Sequence, residues 1–273
     1  MPTAENAQRK VAWITGANRG MGAETAICLA AAGYDIALTA RDATRLAAVA
    51  GEVRARGMRA LPFPSDLTDL ASVNAFADAA IATFGRCDLL CNIGIYKGRG
   101  QTELILETEP EDLVAHYTGD VVAAFVLLRR ALDGMLMRGV GTIINMSSSS
   151  VFLDPPGTVK NSGWSLAYVA AKAGIDQMAS IINVELRDRG IKAFTVEPGF
   201  VAYGADFDAK LRKYPSAPIS PPEAVGPAIV WLAENEGAQR LLGKRISLPH
   251  LTFKHALLEG WAGPGSRFDT RRE

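Results

Sequence analysis

From Val11 to Glu197 the chain repeats one pattern, a short apolar, β-prone run followed by a longer Ala- and Leu-rich stretch with helical spacing. The runs are Val11 to Thr15, Asp35 to Ala40, Asp88 to Asn92, Thr142 to Ser147 and Lys192 to Glu197. Strands separated by whole helices cannot pair as hairpins. They lie parallel, and right-handed crossovers place helices on both faces of the sheet. The expected fold is therefore α/β, a doubly wound parallel sheet in three α/β/α layers. Helix ends are legible too: Gly33, Gly57 and Gly190 each follow a helical stretch and suit a left-handed C-terminal cap, while Asp42 suits the N-cap of a helix opened by Ala43 and Thr44.

With 273 residues, 48% of them hydrophobic and 21% charged, the chain buries a full core without disulfide or metal staples. Lys plus Arg and Asp plus Glu number 29 each, so no net field favours nucleic acid or an anionic membrane. No apolar run reaches the length of a membrane span, and the opening MPTAENAQRK lacks the core of a signal peptide. Cys28, Cys87 and Cys91 form no C-x-x-C, and His116, His250 and His255 share no metal-ligand spacing with them, so no metal is expected and a reducing, cytoplasmic setting is. Without an internal linker or repeat, residues 10–250 are expected to form one domain after an N-terminal arm, 1–9. The tail, 251–273, either covers a neighbouring subunit or is disordered.

In a doubly wound sheet the ligand sits beyond the carboxyl ends of the strands. The first strand runs into Gly16-Ala17-Asn18-Arg19-Gly20-Met21-Gly22, followed by a helix. Glycines let main-chain N–H groups approach a pyrophosphate, and the helix N-terminus adds partial positive charge. Further along, Tyr168 and Lys172 are four residues apart and share a helix face. A free phenol, with a pKa of about 10, is a poor base at neutral pH. An ammonium one turn away is expected to lower it, leaving Tyr168 able to trade a proton with a carbonyl or an alcohol oxygen.

The spacing T-G-x-x-x-G-x-G over Thr15 to Gly22 resembles that of the short-chain dehydrogenase/reductase family. Four more of its motifs follow in order: Cys91-Asn92-Ile93-Gly94, Ile144-Asn145-Met146-Ser147-Ser148, Tyr168-Val-Ala-Ala-Lys172 and Pro198-Gly199. The resemblance spans residues 10 to about 246. It implies a Rossmann fold and hydride transfer between a nicotinamide cofactor and a carbonyl or secondary alcohol. Ser148 would hold the substrate oxygen, Tyr168 would be general acid/base, and Lys172 would lower its pKa. Implied cofactor contacts are Gly16, Asn18, Arg19, Gly20, Met21, Gly22, Arg41, Asp66, Leu67, Asn92, Gly94, Tyr168, Lys172, Pro198, Gly199 and Val201. Asp66-Leu67 corresponds to the pair that meets adenine.

Two positions depart from the family pattern. Asp120 stands where the family has an asparagine that helps hold a proton-relay water; it either accepts bonds from water or Lys172 as part of the catalytic set, or pairs with a surface base. Cys91 replaces the first asparagine of N-N-A-G, with loss of side-chain bonds between neighbouring strands. At the end of the second strand Ala40 occupies the place of the acid that binds NAD ribose, followed by Arg41; with Arg19 this resembles members that prefer NADP, so NADP(H) is expected over NAD(H). The stretch from Ser148 to Tyr168, with residues 153–163 inside it, is longer than is usual in the family, and an insertion there would sit beside the substrate. Residues 200–222, with Tyr203, Phe207 and Tyr214, correspond to the substrate lid. Tyr96, Phe152, Trp164 and Tyr203 either form an apolar wall favouring a cyclic, aromatic or fatty substrate or are packing residues.

Three readings follow: an NADP(H)-dependent oxidoreductase, a non-catalytic or redox-sensing NADP-binding protein, or an enzyme catalysing dehydration or epimerisation on the same scaffold. The expected partners are a small carbonyl or alcohol substrate and copies of the chain itself. A homodimer or homotetramer would pair through the helices over 111–138 and 168–189, with Val121, Val122, Phe125 and Leu128 at the contact or facing the sheet.

Overall fold

The computed structural model describes residues 9–202, 209, 212 and 218–266. Its main sheet holds seven strands in the order β3-β2-β1-β4-β5-β6-β9, every neighbouring pair parallel. These strands are β1 (Val11–Thr15), β2 (Asp35–Ala40), β3 (Ala60–Pro64), β4 (Leu89–Asn92), β5 (Gly141–Met146), β6 (Ile191–Glu197) and β9 (Arg245–Ser247). A separate parallel pair joins β7 (Phe200–Val201) to β8 (Ile219–Ser220). Strands β1 and β2 have the expected bounds; β5 and β6 begin one residue earlier and β4 one later. Strand β3 carries Pro62 and Pro64, which interrupt an apolar pattern but are tolerated because β3 is an edge strand.

Alternation along each strand divides the core between the two helical layers. On β1, Ala12 and Ile14 pack with α1 (Gly20–Ala31), α2 (Ala43–Ala55) and the helix Gly226–Glu234 through Leu29, Leu46, Val49 and Ile229. Val11 and Trp13 face the opposite layer, where Phe76 of α3 (Leu70–Phe84), Leu127 and Met135 of α5 (Ala123–Arg138), and Ala179 and Ile182 of α7 (Leu166–Leu186) complete the packing. Trp13 meets Phe76 edge-on at 6.0 Å. The helices begin and stop where their end residues dictate. Asp42 accepts a bond from Arg45 N at the start of α2, and Gly33, Gly57 and Gly190 all have positive φ.

The helix expected over 111–138 is broken. It runs as α4 (Pro110–Tyr117), a π turn (Thr118–Val122) and α5, and the wide turn carries Asp120 inward. The turn packs against α7 at Gly174, where an added Cβ would lie 2.9 Å from Val121 Cγ2 and 3.1 Å from Tyr117 Cε2. Of the apolar set assigned to a subunit contact or the sheet, Val121 and Leu128 are buried in their own chain, Val122 is half-buried, and Phe125 is exposed. The tail does not leave the molecule within the described residues: Leu248–Lys254 is helical, Trp261 is buried, and Gly265 N donates to the Ile219 carbonyl of β8 at 2.8 Å.

One polar knot ties the late strands to α7. Asp176, buried on α7, accepts from Ser147 Oγ at 2.7 Å and from Arg245 Nε and Nη2 at 3.0 and 2.8 Å, while its carbonyl accepts from Thr195 Oγ1 at 2.8 Å. Asp176→Ala would strand the Ser147 and Arg245 donors, while Thr195 keeps its main-chain acceptor. The expected loss in urea unfolding is about 2 kcal/mol, more than a surface pair contributes and less than a fully buried one because Arg245 keeps contact with water. A change below about 0.5 kcal/mol would show that the knot contributes little.

Candidate active site

All strands of the main sheet point one way, so the turns after β1, β2, β3, β4, β5 and β6 share one edge. The turn after β1 is a close-packed cradle. Gly16 and Gly20 have φ of +69° and +54°, and a Cβ on Gly22 would fall 2.3 Å from the Gly16 carbonyl oxygen. Thr15 Oγ1 accepts from Ile93 N at 3.0 Å and Gly94 N at 2.9 Å, locking this turn to the end of β4, where a Cβ on Gly16 would lie 2.7 Å from Gly94 Cα. Helix α1 starts at Gly20 with no side-chain cap on its N-terminus and no acidic residue in its first turn. Its leading N–H groups thus stand open to an anion. Asn18 is half-buried in this turn, and Met21 packs against the core beneath it.

Ala40 closes β2, and Arg41 and Arg19 are both exposed; among the described residues neither has an ion-pair partner. Asp42 is occupied, capping α2 and pairing with Arg45 at 3.3 Å. After β3, Asp66 Oδ1 accepts from Thr68 N at 2.9 Å and Thr68 Oγ1 at 2.8 Å, and Leu67 packs against the core near Gly94. Asn92 Nδ2 donates to Asn145 Oδ1 at 2.9 Å across β4 and β5. This bond supplies the side-chain tie expected to be lost with Cys91, whose buried thiol is pushed far up by desolvation and is inert. Beyond β6, Gly199 has φ +68° and donates its N–H to Glu197 Oε2 at 2.8 Å after Pro198, and Val201 belongs to β7. Tyr203, Phe207 and Tyr214 lie outside the described residues.

The serine run divides cleanly. Ser147 Oγ points to Asp176, whereas Ser148 Oγ accepts from Ser150 N and Oγ at 3.2 and 3.0 Å and faces the Tyr168 hydroxyl. Tyr168 sits in the first turn of α7, whose N-cap Ser165 accepts from Tyr168 N at 3.2 Å. Lys172 is buried one turn on, with Nζ donating to the Met146 carbonyl of β5 at 2.7 Å. The electrostatics differ from expectation. Burial raises the phenol above its ordinary value, Asp120 raises it further, and only the Ser148 bond opposes them. The Lys172 charge bears on Asp120, and burial draws its own pKa down.

Asp120 is not paired with a surface base. It is buried, with Oδ1 accepting from Tyr96 N at 2.6 Å, and Oδ2 has no hydrogen-bond partner among the described residues. Desolvation pushes this carboxyl up, against the opposing charge of Lys172. Sequence reasoning missed His116, fully buried four residues earlier; the signal was its spacing from Asp120, on one helix face. Of the four aromatics Tyr203 lies outside the described residues, and the other three do not share one set of contacts. Tyr96 packs edge-on against His116 at 4.9 Å, Phe152 is exposed beneath the Arg245 guanidinium at 5.2 Å, and Trp164 is half-buried after the longer link, which contains a short helix, Val159–Ser162.

This strand order, with an anion-ready turn after β1, is that of proteins that bind dinucleotides across the carboxyl edge of the sheet. A family model for short chain dehydrogenase matches residues 10–214, and the chain belongs to that family of oxidoreductases. Among its relatives, a 3-oxoacyl-[acyl-carrier-protein] reductase of Synechocystis is 30% identical over 251 residues, covering 90% of this chain and 97% of the relative. A D-threitol dehydrogenase of Mycolicibacterium smegmatis is 33% identical over 245 residues, covering 84% and 87%. A metagenomic short-chain oxidoreductase solved with NADP superposes with TM-score 0.66 at 30% identity, covering 82% of this chain and 90% of that one. An NAD+-bound xylitol dehydrogenase, at 21% identity and TM-score 0.76, covers 87% and 96% and shares the fold. No described helix is long and apolar enough to cross a membrane.

Proposed function

We propose that the protein is an NADP(H)-dependent oxidoreductase acting between a carbonyl and a secondary alcohol. The observation that carries this reading is the contact between the Ser148 and Tyr168 hydroxyls at the carboxyl edge of the sheet, with Lys172 buried one helical turn behind. A nicotinamide bound along that edge would supply or accept hydride. The uncapped α1 N-terminus and the glycine cradle suit its pyrophosphate; Leu67 and Asp66 would lie at the adenine, and Pro198, Gly199 and Val201 beside the nicotinamide. Ser148 would donate a hydrogen bond to the substrate oxygen, where negative charge grows, and Tyr168 would deliver its proton to the same atom during reduction. Lys172, fixed by the Met146 carbonyl, would restore the proton to the phenolate.

Reduction and oxidation are one reaction in two directions, and the relatives include one named as a reductase and one as a dehydrogenase. NADP is favoured over NAD by the exposed Arg19 and Arg41, which have no ion-pair partner among the described residues, and by Ala40, which offers no carboxylate to ribose hydroxyls. Arg41→Ala is expected to raise KM for NADPH by ~10- to 100-fold, as for the loss of one charged hydrogen bond, and to leave KM for NADH nearly unchanged. Equal effects on both cofactors would remove the basis for the preference. Exposed apolar side chains on α5 and α7, Phe125, Ile181 and Val184, support a homodimer or homotetramer through those helices. The test of function is oxidation of NADPH in the presence of a carbonyl panel. NADPH binding without turnover would instead favour a non-catalytic binding protein.

A further inference from the structure

We propose that Ser150 is a positioning residue that makes Ser148 a one-way donor: its hydroxyl and its main-chain N–H fill both acceptor sites of Ser148 Oγ, and the Ser148 proton is left for the substrate oxygen. This inference rests on the reductase reading for the identity of that oxygen, though not for its geometry. Of the run Ser147 to Ser150, the side chains of Ser147, Ser148 and Ser150 are buried. Ser147 Oγ is spent on Asp176 at 2.7 Å. Ser150 Oγ donates to Ser148 Oγ at 3.0 Å, and Ser150 N donates to the same oxygen at 3.2 Å. A serine hydroxyl has two acceptor sites and one proton. With both sites filled, Ser148 can donate and cannot accept.

The local chain dictates this arrangement. Ser148 is extended, with φ −153° and ψ 150°, and a 3₁₀ turn over Ser149–Val151 starts directly after it. A serine so placed accepts from the N–H two residues on, and the turn brings the side chain of that same residue over the oxygen. Both flanks of the turn are pinned to α7. Asp176 holds Ser147 on one side, and on the other Phe152 lies beneath the Arg245 guanidinium, 5.2 Å from its ring centroid, which itself bonds Asp176 at 2.8 Å. Tyr168 belongs to the same helix, so the serine turn and the phenol keep their relative places. The Ser148 bond also favours the phenolate, as a hydroxyl donating to that oxygen does and an accepting one does not.

The consequence is a fixed proton direction. During reduction the substrate oxygen accepts from Ser148 while the phenol O–H bond breaks and the substrate O–H bond forms; Ser148 keeps its own proton throughout. During oxidation an alcohol finds no acceptor at Ser148, so its proton has Tyr168 alone to go to. Without the Ser150 hydroxyl, one acceptor site of Ser148 reopens and the Ser148 proton is free to turn away from the substrate.

The test is a double-mutant cycle over Ser148→Ala and Ser150→Ala, read as kcat/KM for carbonyl reduction by NADPH and as the pH profile of alcohol oxidation. Ser150→Ala alone is expected to lower kcat/KM by ~3- to 10-fold, the span of one neutral hydrogen bond. On the Ser148→Ala background it is expected to cost less than ~2-fold, because a residue acting through Ser148 has nothing left to act on. The midpoint of the rise in oxidation with pH is expected to move up by about half a unit in Ser150→Ala, since the phenolate loses part of the bond that favours it. Equal losses on both backgrounds overturn the inference and leave the reductase reading standing, as does a profile that falls at every pH without moving. A wild type that binds NADPH and reduces no carbonyl overturns the reductase reading instead. The hydroxyl order is then read by neutron diffraction from the deuterated protein, where a Ser148 deuteron aimed at Ser150 overturns the inference and the reverse order upholds it.

Discussion

Tyr168→Phe is expected to lower kcat for carbonyl reduction by ~10²- to 10⁴-fold, the span usual for removal of a general acid. The substitution deletes only the hydroxyl. The ring keeps its place in the first turn of α7, and the Ser165 cap is untouched because it binds the main-chain N–H of residue 168. Ser148 retains its bonds from Ser150. Nucleotide affinity, followed by fluorescence of bound NADPH, should therefore change little while turnover collapses. A variant that keeps more than a tenth of the wild-type rate would remove Tyr168 from the chemistry and with it the assignment of Ser148 as its partner. Because burial and Asp120 raise the phenol in the chain alone, carbonyl reduction, which needs the protonated phenol, should hold its rate through neutral pH and fall only on the alkaline side, whereas alcohol oxidation, which needs the phenolate beside the positively charged nicotinamide, should rise with pH.

Gly22→Ala should abolish productive nucleotide binding, with an affinity loss of at least ~10-fold and a stability loss of about 1–3 kcal/mol. The added Cβ would meet the Gly16 carbonyl oxygen at 2.3 Å, its carbon at 2.7 Å and Ala17 Cα at 3.0 Å. All three are main-chain atoms of a turn that Thr15 ties to β4, so no flexible side chain can yield. Gly51→Ala is the control. It lies on the exposed face of α2 with nothing within 4 Å of a Cβ, and alanine there should raise stability by up to ~1 kcal/mol and leave nucleotide affinity alone. Isothermal titration with NADP and urea unfolding measure both effects. Equal nucleotide affinities for the two variants would show that the cradle is not where the pyrophosphate binds.

Strand and helix order, the caps at Asp42, Gly33, Gly57 and Gly190, and the glycine turn were legible in the residues because each depends on interactions within a few positions of the chain. The break in the helix over 111–138 was not. A π turn has no composition of its own and forms here where α4 and the turn itself pack on α7, around Gly174. Strand β3 was obscured by Pro62 and Pro64, which an edge position accepts and a central one would not. The charge balance around Tyr168 was likewise not fully legible from spacing: Lys172 shares its helix face, but burial of the phenol and the Asp120 carboxyl, both set by the fold, bear on it too.

Periodicity and motif spacing determined the doubly wound architecture and the set of turns that meet at its carboxyl edge, since local main-chain preference and strand direction follow directly from residue order. Tertiary structure alone decided which neighbours each polar group has. It turned Ser147 to Asp176 and Ser148 to Tyr168, replaced the tie lost at Cys91 with Asn92 and Asn145, and buried His116 beside Asp120. The physical reason is that desolvation and pairing depend on atoms brought close by folding, far apart in the chain, and no local pattern encodes them.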